Sequence, residues 1–320
     1  MKRLKTAVIG VGYLGKFHAE KYTALEQSEL VAVVDNDADA AAQIAAQNNA
    51  RAVTDYRELF GKVDAVSIVV PTDLHHRIAR DCLKNGMDVL VEKPMTVTLE
   101  EADDLIALAR KNNRILQVGH LERFNAAVLA LEGVLKNPLF IEAHRLAPFK
   151  TRGTEVDVIL DIMIHDIDII LNMVNAPVTA IHAVGVPVLS PEKNDIANVR
   201  LEFETGCIAN ITASRISMKE MRKTRIFQPD AYISINFATQ QADVYKRMVD
   251  AEAVDEMPQI MYDEIDIEQG DALLAEISSF LDSAAKRCEP AVSGEAGRNA
   301  LKVALEIIEQ VEHRKKNVQF

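Results

Sequence analysis

The apolar segment LDIMIHDIDIIL, residues 160–171, carries ionisable side chains that could do chemistry. Asp161 and His165 are four residues apart, a spacing that places two side chains on one face of a helix. An imidazole has an ordinary pKa of about 6.5, so His165 can accept a proton near neutral pH. Ionisable groups are costly to bury without a partner. The pattern therefore indicates either a core helix with one edge in solvent or an edge that faces a reaction.

The polar stripe of that predicted helix extends beyond this pair. A helix turns by roughly 100° per residue, so Asp168 and Asn172 fall on the same stripe as His165, within about 60°. Isoleucines and leucines cover the remainder, and Asp166 falls off the stripe with no predicted role. We expect the stripe to face the reacting groups.

A glycine pattern near the N-terminus predicts a dinucleotide cofactor. Residues 10–15 read GVGYLG, which is G-x-G-x-x-G between an apolar strand and the first predicted helix. Gly10 permits the tight turn, Gly12 lets a pyrophosphate approach the backbone, and Gly15 lets helix and strand pack closely. The N-terminus of the helix then offers N–H groups to the phosphates. The cofactor contacts expected here are Gly10, Gly12, Tyr13, Leu14 and Gly15.

An acidic residue at the end of the second predicted strand indicates which dinucleotide is bound. Asp35 follows Gly15 by twenty residues, and a carboxylate there accepts both ribose hydroxyls of NAD while repelling the 2′-phosphate of NADP. Asn36 and Asp37 come next, with no arginine to receive such a phosphate. We predict NAD, with Asn36 also at the ribose. The alternative is a Rossmann-like domain that binds no dinucleotide.

The first 120 residues alternate between strand patterns and helical patterns, which predicts a parallel sheet covered on both faces. This is the doubly wound α/β Rossmann arrangement, assigned to a domain 1–120. Thr98 precedes Glu101 by three residues, a capping-box spacing that predicts the start of a helix. The predicted strands are 4–10, 30–35, 50–53, 64–70, 88–93 and 115–119.

The chain after residue 120 has a different pattern, which predicts a second, α+β domain, 121–320, with a largely antiparallel open sheet. Thr205-Gly206 joins two alternating runs as a hairpin, and an exposed sheet favours a homodimer or homotetramer. Residues 243–270 receive no assignment. The remaining predictions are strands at 139–146, 179–189, 197–204, 206–217 and 231–239 and helices at 271–287 and 295–315.

The composition is that of a globular protein, with 48% hydrophobic and 26% charged residues. A net charge of −12 argues against a nucleic-acid partner, which requires a basic face. No run approaches the roughly 20 apolar residues of a membrane span, so we predict no membrane segment and a cytoplasmic location. Cys82, Cys207 and Cys288 are too few and too scattered for a disulfide framework or a zinc site, and no metal is predicted.

Two further features have open interpretations. Lys219, Arg222, Lys223 and Arg225 form a cationic cluster, which is either a solvated loop or a site for an anionic substrate group. His18 follows Phe17 in the first predicted helix, and we interpret it as a packing residue or a contact along the helix side.

Four motifs together with the glycine pattern resemble the Gfo/Idh/MocA oxidoreductases, named for glucose–fructose oxidoreductase and inositol dehydrogenase. The resemblance spans essentially the whole chain. The motifs are Val-Pro-Thr-Asp-Leu-His at 70–75, Glu-Lys-Pro at 92–94, Gly-His-Leu-Glu-Arg-Phe-Asn at 119–125 and Asp-x-x-x-His at 161–165.

The family resemblance implies a Rossmann domain, an α+β domain, and reversible oxidation of a sugar or cyclitol hydroxyl by a nicotinamide dinucleotide. Lys93 matches the active-site lysine of the family, and Asp161 and His165 match its second motif. We assign His165 as the base, and Lys93 supplies charge or shares the proton relay. The Lys93-Pro94 bond could be cis. Further cofactor contacts implied at the nicotinamide end are Pro71, Thr72, His75, Glu92 and Lys93.

Within the family, GHLERFN, APFKTRGTEVDVILDIMIHDIDII and RKTRIFQPDAY look most like the bacterial UDP-N-acetylglucosamine 3-dehydrogenases associated with lipid A assembly. Thr154-Glu155-Val156-Asp157 departs from the glycine-rich run of many members. A nucleotide-sugar diphosphate needs cations. The substrate contacts predicted are His120, Arg123, Arg152, Arg222 and Arg225. The alternatives are another nucleotide sugar, a free sugar or inositol, an NAD-dependent glycosidase, and an NAD-binding sensor without catalysis.

Overall fold

The computed structural model describes residues 3–149, 156–190, 192–248, 259–265 and 267–317. The chain divides into two compact units. The first unit is Met1–Leu121 with Asp271–Leu301, and the second is Glu122–Gly270 with Lys302–Phe320.

The first unit contains a parallel six-stranded sheet in the order β3-β2-β1-β4-β5-β6. The strand order reverses between β1 and β4, which is where doubly wound sheets bind their ligands. The predicted Rossmann arrangement is confirmed. The strands are β1 (Leu4–Ile9), β2 (Ser28–Val34), β3 (Arg51–Val53), β4 (Ala65–Ile68), β5 (Asp88–Glu92) and β6 (Leu116–Gly119).

Several of the α-helices begin at a residue whose side chain caps them. Asp37 accepts hydrogen bonds from the N–H groups of Asp39 and Ala40, and Thr98 and Glu101 form the predicted capping box. The helices are α1 (Gly15–Ala24), α2 (Ala38–Gln47), α3 (Thr72–Lys84), α4 (Leu99–Lys111), α5 (Ala126–Leu129), α6 (Ile164–Val174), α7 (Ala272–Lys286) and α8 (Gly294–Asn317).

Helix α7 belongs to the first unit, although a single boundary at residue 120 assigns it to the second domain. Ile277, Phe280 and Leu281 of α7 are buried in one cluster with Val8 and Tyr22. Burying side chains of this size stabilises by about 1.5–3 kcal/mol each. The amphipathic pattern of α7 predicted the helix, but it carried no information on which sheet the helix would cover.

The second unit contains an eight-stranded sheet in the order β14-β13-β12-β11-β7-β10-β9-β8. β7 and β10 pair in parallel and the other neighbours are antiparallel, which confirms the predicted largely antiparallel sheet. The strands are β7 (Phe140–Leu146), β8 (Val178–Val186), β9 (Ile196–Phe203), β10 (Ile208–Ser214), β11 (Met221–Gln228), β12 (Ala231–Asn236), β13 (Gln241–Met248) and β14 (Gln259–Glu264). β13 and β14 account for part of the segment left without assignment.

The two faces of this sheet differ in chemistry. Along β7, Ile141, Ala143 and Arg145 are buried on the face that α6 covers. The opposite face carries an aromatic row that crosses neighbouring strands, with consecutive ring centroids 5.0 to 5.6 Å apart. The aromatic row consists of Phe140, Phe227, Tyr232, Tyr245 and Tyr262. Within the described ranges, no helix is both long enough and apolar enough to cross a membrane.

Candidate active site

The glycine turn of the first unit has the form that a dinucleotide pyrophosphate requires. Gly10 has a φ of +88°, a conformation that favours glycine, and its N–H donates to the Val34 carbonyl at 2.7 Å. A Cβ added to Gly10 would overlap the Val69 carbonyl, and one added to Gly15 would overlap the Gly10 carbonyl. A Cβ on Gly12 would meet no atom within 4 Å. The backbone is thus closely packed at Gly10 and Gly15 and open at Gly12, which fits a phosphate beside the start of α1.

A cavity of about 580 Å³ lies beside this turn, a size typical of small-molecule sites. It is formed at the ends of β1, β2 and β4, where the strand order reverses. Its lining includes Gly10, Gly12, Asp35, Asn36 and Pro71. The structure therefore brings these predicted cofactor residues together within the first unit.

Asp35 is held in place by the backbone. Its Oδ2 accepts from the N–H of Val11 at 2.9 Å, and its Oδ1 accepts from the N–H of Asp37 at 3.0 Å. Each carboxylate oxygen keeps a second lone pair, so ribose hydroxyls can still donate to it. The carboxylate thus fits the ribose of a dinucleotide.

Two arginines line the cavity, although none directly follows Asp35 in the sequence. Arg57 is bound by Asp55, with its Nε 2.9 and 3.0 Å from the two carboxylate oxygens. Arg77, on α3, is exposed. Both come from segments distant from Asp35, so the local spacing gave no signal of them.

The Glu-Lys-Pro motif begins where β5 ends, and the Lys93-Pro94 peptide is cis. His75 is buried, with Nδ1 2.9 Å from the Pro94 carbonyl and Nε2 2.8 Å from the Val70 carbonyl. Burial lowers the pKa of His75 below its ordinary value. The ring thus links two loops of the first unit, and its predicted contact with the cofactor stays a prediction.

Helix α6 of the second unit carries His165, and Asp161 lies in the turn before it. Ile159–Met163 is a π-helix, not the start of the continuous α-helix that the sequence predicted. π-Helical turns are frequent at functional sites. The projection at 100° per residue does not apply within this turn, and the place of Asp161 on the stripe stays a prediction.

The rest of the predicted stripe is bound within the second unit. Arg123 donates from Nε and Nη2 to both oxygens of Asp168, at 2.8 and 2.7 Å, and from Nη1 to Asn172 at 2.7 Å. Asp168 is buried. Asp168 and Asn172 thus hold the Leu121–Phe124 turn against α6, because a bidentate pair fixes both partners. The guanidinium of Arg123 is engaged inside the unit, and its predicted substrate contact stays a prediction.

Asp166, for which no role was predicted, is bound by an arginine through both of its oxygens, as Asp168 is. Buried Arg145 donates to both of its oxygens at 2.9 Å and to Glu122 at 2.7 Å. Against the lowering effect of burial, the charges of Asp166 and Glu122 raise the pKa of Arg145 above its ordinary value. Helix α6 is therefore held by two arginine–carboxylate clamps, Arg123–Asp168 and Arg145–Asp166, whose carboxylates follow His165 by three residues and by one.

The predicted cationic cluster is not a loop, because Arg222 and Arg225 lie in β11. Residues three apart in a strand point to opposite faces. Arg222 pairs in register with Arg145, on the face covered by α6, whereas Arg225 pairs with Glu142 on the open face and forms an ion pair with it. The two arginines cannot contact one diphosphate from the same side of the sheet, so the joint prediction is wrong.

Of the two other predicted substrate contacts, the structure describes only one. His120 directly follows β6 and is buried. Arg152 lies outside the described residues.

Comparison with known proteins gives two successive family matches. The family described as "Oxidoreductase family, NAD-binding Rossmann fold" matches residues 4–120, and the "GFO/IDH/MocA C-terminal domain" matches residues 131–233. The chain is 39% identical over 313 residues to the UDP-N-acetylglucosamine 3-dehydrogenase of Acidithiobacillus ferrooxidans, covering 98% of each.

The fold comparison agrees with these matches. A solved structure of the Acidithiobacillus ferrooxidans enzyme superposes with a TM-score of 0.91 and 38% identity, covering 98% of this chain and 99% of that one. The scyllo-inositol 2-dehydrogenase (NAD(+)) of Bacillus subtilis is 28% identical over 233 residues, which is 67% of this chain and 68% of that protein. With its Rossmann sheet, glycine turn and Glu-Lys-Pro motif, the chain belongs to the Gfo/Idh/MocA family of oxidoreductases.

Proposed function

We propose that the protein is an NAD-dependent dehydrogenase that oxidises the 3-hydroxyl of UDP-N-acetylglucosamine to the 3-keto sugar. The observation that carries this proposal is the similarity to an enzyme of that name along 98% of both chains. Family membership alone leaves other nucleotide sugars, free sugars and inositol as candidates.

NAD is proposed over NADP because of the charge at the ribose position. Asp35 presents a carboxylate, fixed by two backbone N–H groups, to the cavity. A 2′-phosphate there would meet like charge, and the nearby Arg57 is already bound by Asp55.

The proposed chemistry divides between the cofactor and three side chains. When bound, the dinucleotide accepts the hydride. Lys93 donates to the reacting oxygen and stabilises the negative charge that develops on it, while His165 accepts the hydroxyl proton. Asp161 orients the imidazole of His165. The Arg123–Asp168 and Arg145–Asp166 clamps keep α6, and thus His165, in one position.

Arg222 is the cation of β11 that we propose for the substrate diphosphate. It lies on the face of the sheet that α6 covers, in register with Arg145. Arg225 lies on the other face beside Glu142 and receives no substrate role in this proposal. Arg152 stays a candidate because no structure is described for it.

The open face of the second sheet supports the proposal of a homodimer or homotetramer. Tyr262 is 51% exposed and Phe227 is 37% exposed, and both belong to the aromatic row. Exposed apolar patches of this kind are typical of protein–protein contacts. The cytoplasmic location stays a prediction.

A panel of nucleotide sugars with NAD⁺ tests the proposed function by the absorbance of NADH. We expect turnover with UDP-N-acetylglucosamine, and the product should carry two hydrogens fewer by mass spectrometry. Net NADH formation would exclude a glycosidase that only oxidises its substrate transiently, and any turnover would exclude a sensor. Turnover restricted to free sugars or inositol would refute the assigned substrate.

A further inference from the structure

A chain of buried side chains in the first unit lies behind the Glu-Lys-Pro motif. His18, Ser67 and Tyr22 are all almost fully inaccessible to solvent. The Tyr22 hydroxyl is 2.8 Å from the Ser67 hydroxyl, which is 3.2 Å from Nδ1 of His18. Nε2 of His18 is 3.2 Å from Oε1 of Glu92. The chain thus connects α1 and β4 to the last residue of β5.

Glu92, whose side chain is partly buried, has two further close neighbours. Its Oε2 accepts from the backbone N–H of Lys93 at 3.2 Å. Gly119, opposite Glu92 in the sheet register, lies so close that an added Cβ would be 3.0 Å from the Glu92 carboxyl carbon. A side chain at position 119 would therefore require the carboxylate to shift by a few tenths of an ångström.

The direction of the hydrogen bonds follows from the charge of Glu92. Burial raises the pKa of Glu92, but the hydrogen bond and charge of His18, together with the charge of Lys93, hold that pKa below its ordinary value. An ionised carboxylate can only accept, so Nε2 of His18 must carry a proton and donate to it. Burial also raises the pKa of Tyr22, which keeps its hydroxyl protonated at the far end of the chain.

The ionisable groups around Glu92 come from three elements. His18 faces it from α1, Lys93 follows it in the chain, and His75 interacts with it from α3. At the far end, Tyr22 interacts with Glu276 of α7. Among these, His18 is the side chain whose hydrogen bond lowers the pKa of Glu92.

We propose that His18 is a positioning residue: its Nε2 donor keeps the Glu92 carboxylate ionised and fixed against the backbone N–H of Lys93, so that the lysine is held for the reaction. The proposal rests on the role given to Lys93 in the proposed function. It differs from the interpretation of His18 as a packing residue, because it assigns the effect to one ring nitrogen.

Two substitutions distinguish the roles of the two ring nitrogens of His18. The amide nitrogen of His18→Gln reaches about as far as Nε2 and can donate to Glu92, whereas that of His18→Asn reaches only about as far as Nδ1. Losing a hydrogen bond to a charged, buried carboxylate should raise its pKa by about one to two units. A matched control is His76→Asn, since His76 binds the carboxylate of Asp104 at 2.8 Å on the exposed side of α3.

The first measurement is an NMR titration of the protein without substrate, with ¹³C in the glutamate carboxyl groups and Glu92→Gln to assign the Glu92 signal. We expect the pKa of Glu92 to rise by about one to two units in His18→Asn and to stay close to the wild-type value in His18→Gln and His76→Asn. An unchanged pKa in His18→Asn would overturn the proposal. Because this titration needs no turnover, it tests the role of His18 even if the proposed substrate is wrong.

The second measurement follows kcat against pH with a substrate that the wild-type protein oxidises. The activity of His18→Asn relative to wild type should fall as the pH is lowered, because Glu92 becomes protonated at a higher pH in this variant than in wild type. His18→Gln should keep the wild-type profile, and the KM for NAD should not change. If His18→Asn and His18→Gln both lose activity by the same factor at every pH, His18 acts only by packing and the proposal is overturned. If His18→Asn does not fold, Ser67→Ala serves instead, because it removes the contacts to Nδ1 of His18 and to Tyr22 but keeps the contact of Nε2 with Glu92. The pKa of Glu92 should then stay lowered, and a rise as large as that expected for His18→Asn would contradict the proposal.

Discussion

The two units place their polar groups by different means. In the first unit, Asp35 is fixed by two backbone N–H groups, that of Val11 in the glycine turn and that of Asp37. In the second unit, Asp166 and Asp168 are each fixed by an arginine more than 20 residues away in sequence. The position of Asp35 thus depends on the backbone conformation of two short motifs, whereas the geometry around His165 depends on ion pairs between side chains. The following changes should affect the two arrangements differently.

The largest loss of activity is expected at the two proposed catalytic side chains. Lys93→Met and His165→Asn should each lower kcat by about 10²- to 10⁴-fold, because each removes a group that acts on the reacting hydroxyl. The KM for NAD should change little, since neither substitution alters the glycine turn or Asp35. Steady-state kinetics with both substrates varied measures this. A rise in KM alone would show that the substituted side chain only binds.

The buried clamp should matter most for stability. Arg145→Met leaves two carboxylates buried without their cation, and we expect the free energy of unfolding to fall by about 3–5 kcal/mol in urea titration. The control is Arg225→Met, whose ion pair with Glu142 is partly exposed and should contribute about 1 kcal/mol or less. Equal losses in the two variants would contradict the assigned difference in burial.

The choice of cofactor should depend on Asp35. Asp35→Ala removes the acceptors for the ribose hydroxyls, and kcat/KM with NAD should fall by about 10- to 100-fold while activity with NADP rises. Asp39→Ala, in the first turn of α2 and exposed, is the matched control and should leave both values unchanged. If Asp35→Ala keeps the wild-type preference, the carboxylate does not discriminate between the cofactors.

The smallest expected effect is on the KM for the sugar substrate, which should depend on Arg222 of β11 but not on Arg225. Arg222→Gln should raise the KM for UDP-N-acetylglucosamine by about 10-fold, the loss expected from one charge-assisted hydrogen bond. Arg225→Gln should not change that KM, because the side chain lies on the opposite face of the sheet. An effect of Arg225→Gln on KM in the monomeric protein would show that the open face takes part in binding.

The sequence predicted the parts of this protein that follow from local patterns. The G-x-G-x-x-G turn, Asp35 at the end of β2, the capping box of α4 and the hairpin at Thr205-Gly206 each depend on residues close together in the chain. Such spacing fixes backbone conformation before any long-range contact forms. The parallel sheet follows from the same alternation of strands and helices.

What the sequence did not predict depends on contacts between distant residues. Nothing near Asp166 indicates Arg145, and nothing near His18 indicates Glu92, which is 74 residues away. No strand was predicted at the cationic cluster, so the sequence did not indicate that Arg222 and Arg225 lie on opposite faces of a sheet. The packing of α7 against Tyr22 is also a long-range contact, because many apolar surfaces could cover the same helix face.

The central claim, oxidation of the 3-hydroxyl of UDP-N-acetylglucosamine by NAD, is tested most directly with the sugar deuterated at C3. Hydride transfer from C3 should move the deuterium to the nicotinamide ring and slow the hydride-transfer step, whereas deuterium at C4 should stay in the sugar. The mass of the NADH formed gives the answer. Unlabelled NADH from the C3-deuterated sugar, or no NADH from this sugar at all, would contradict the account.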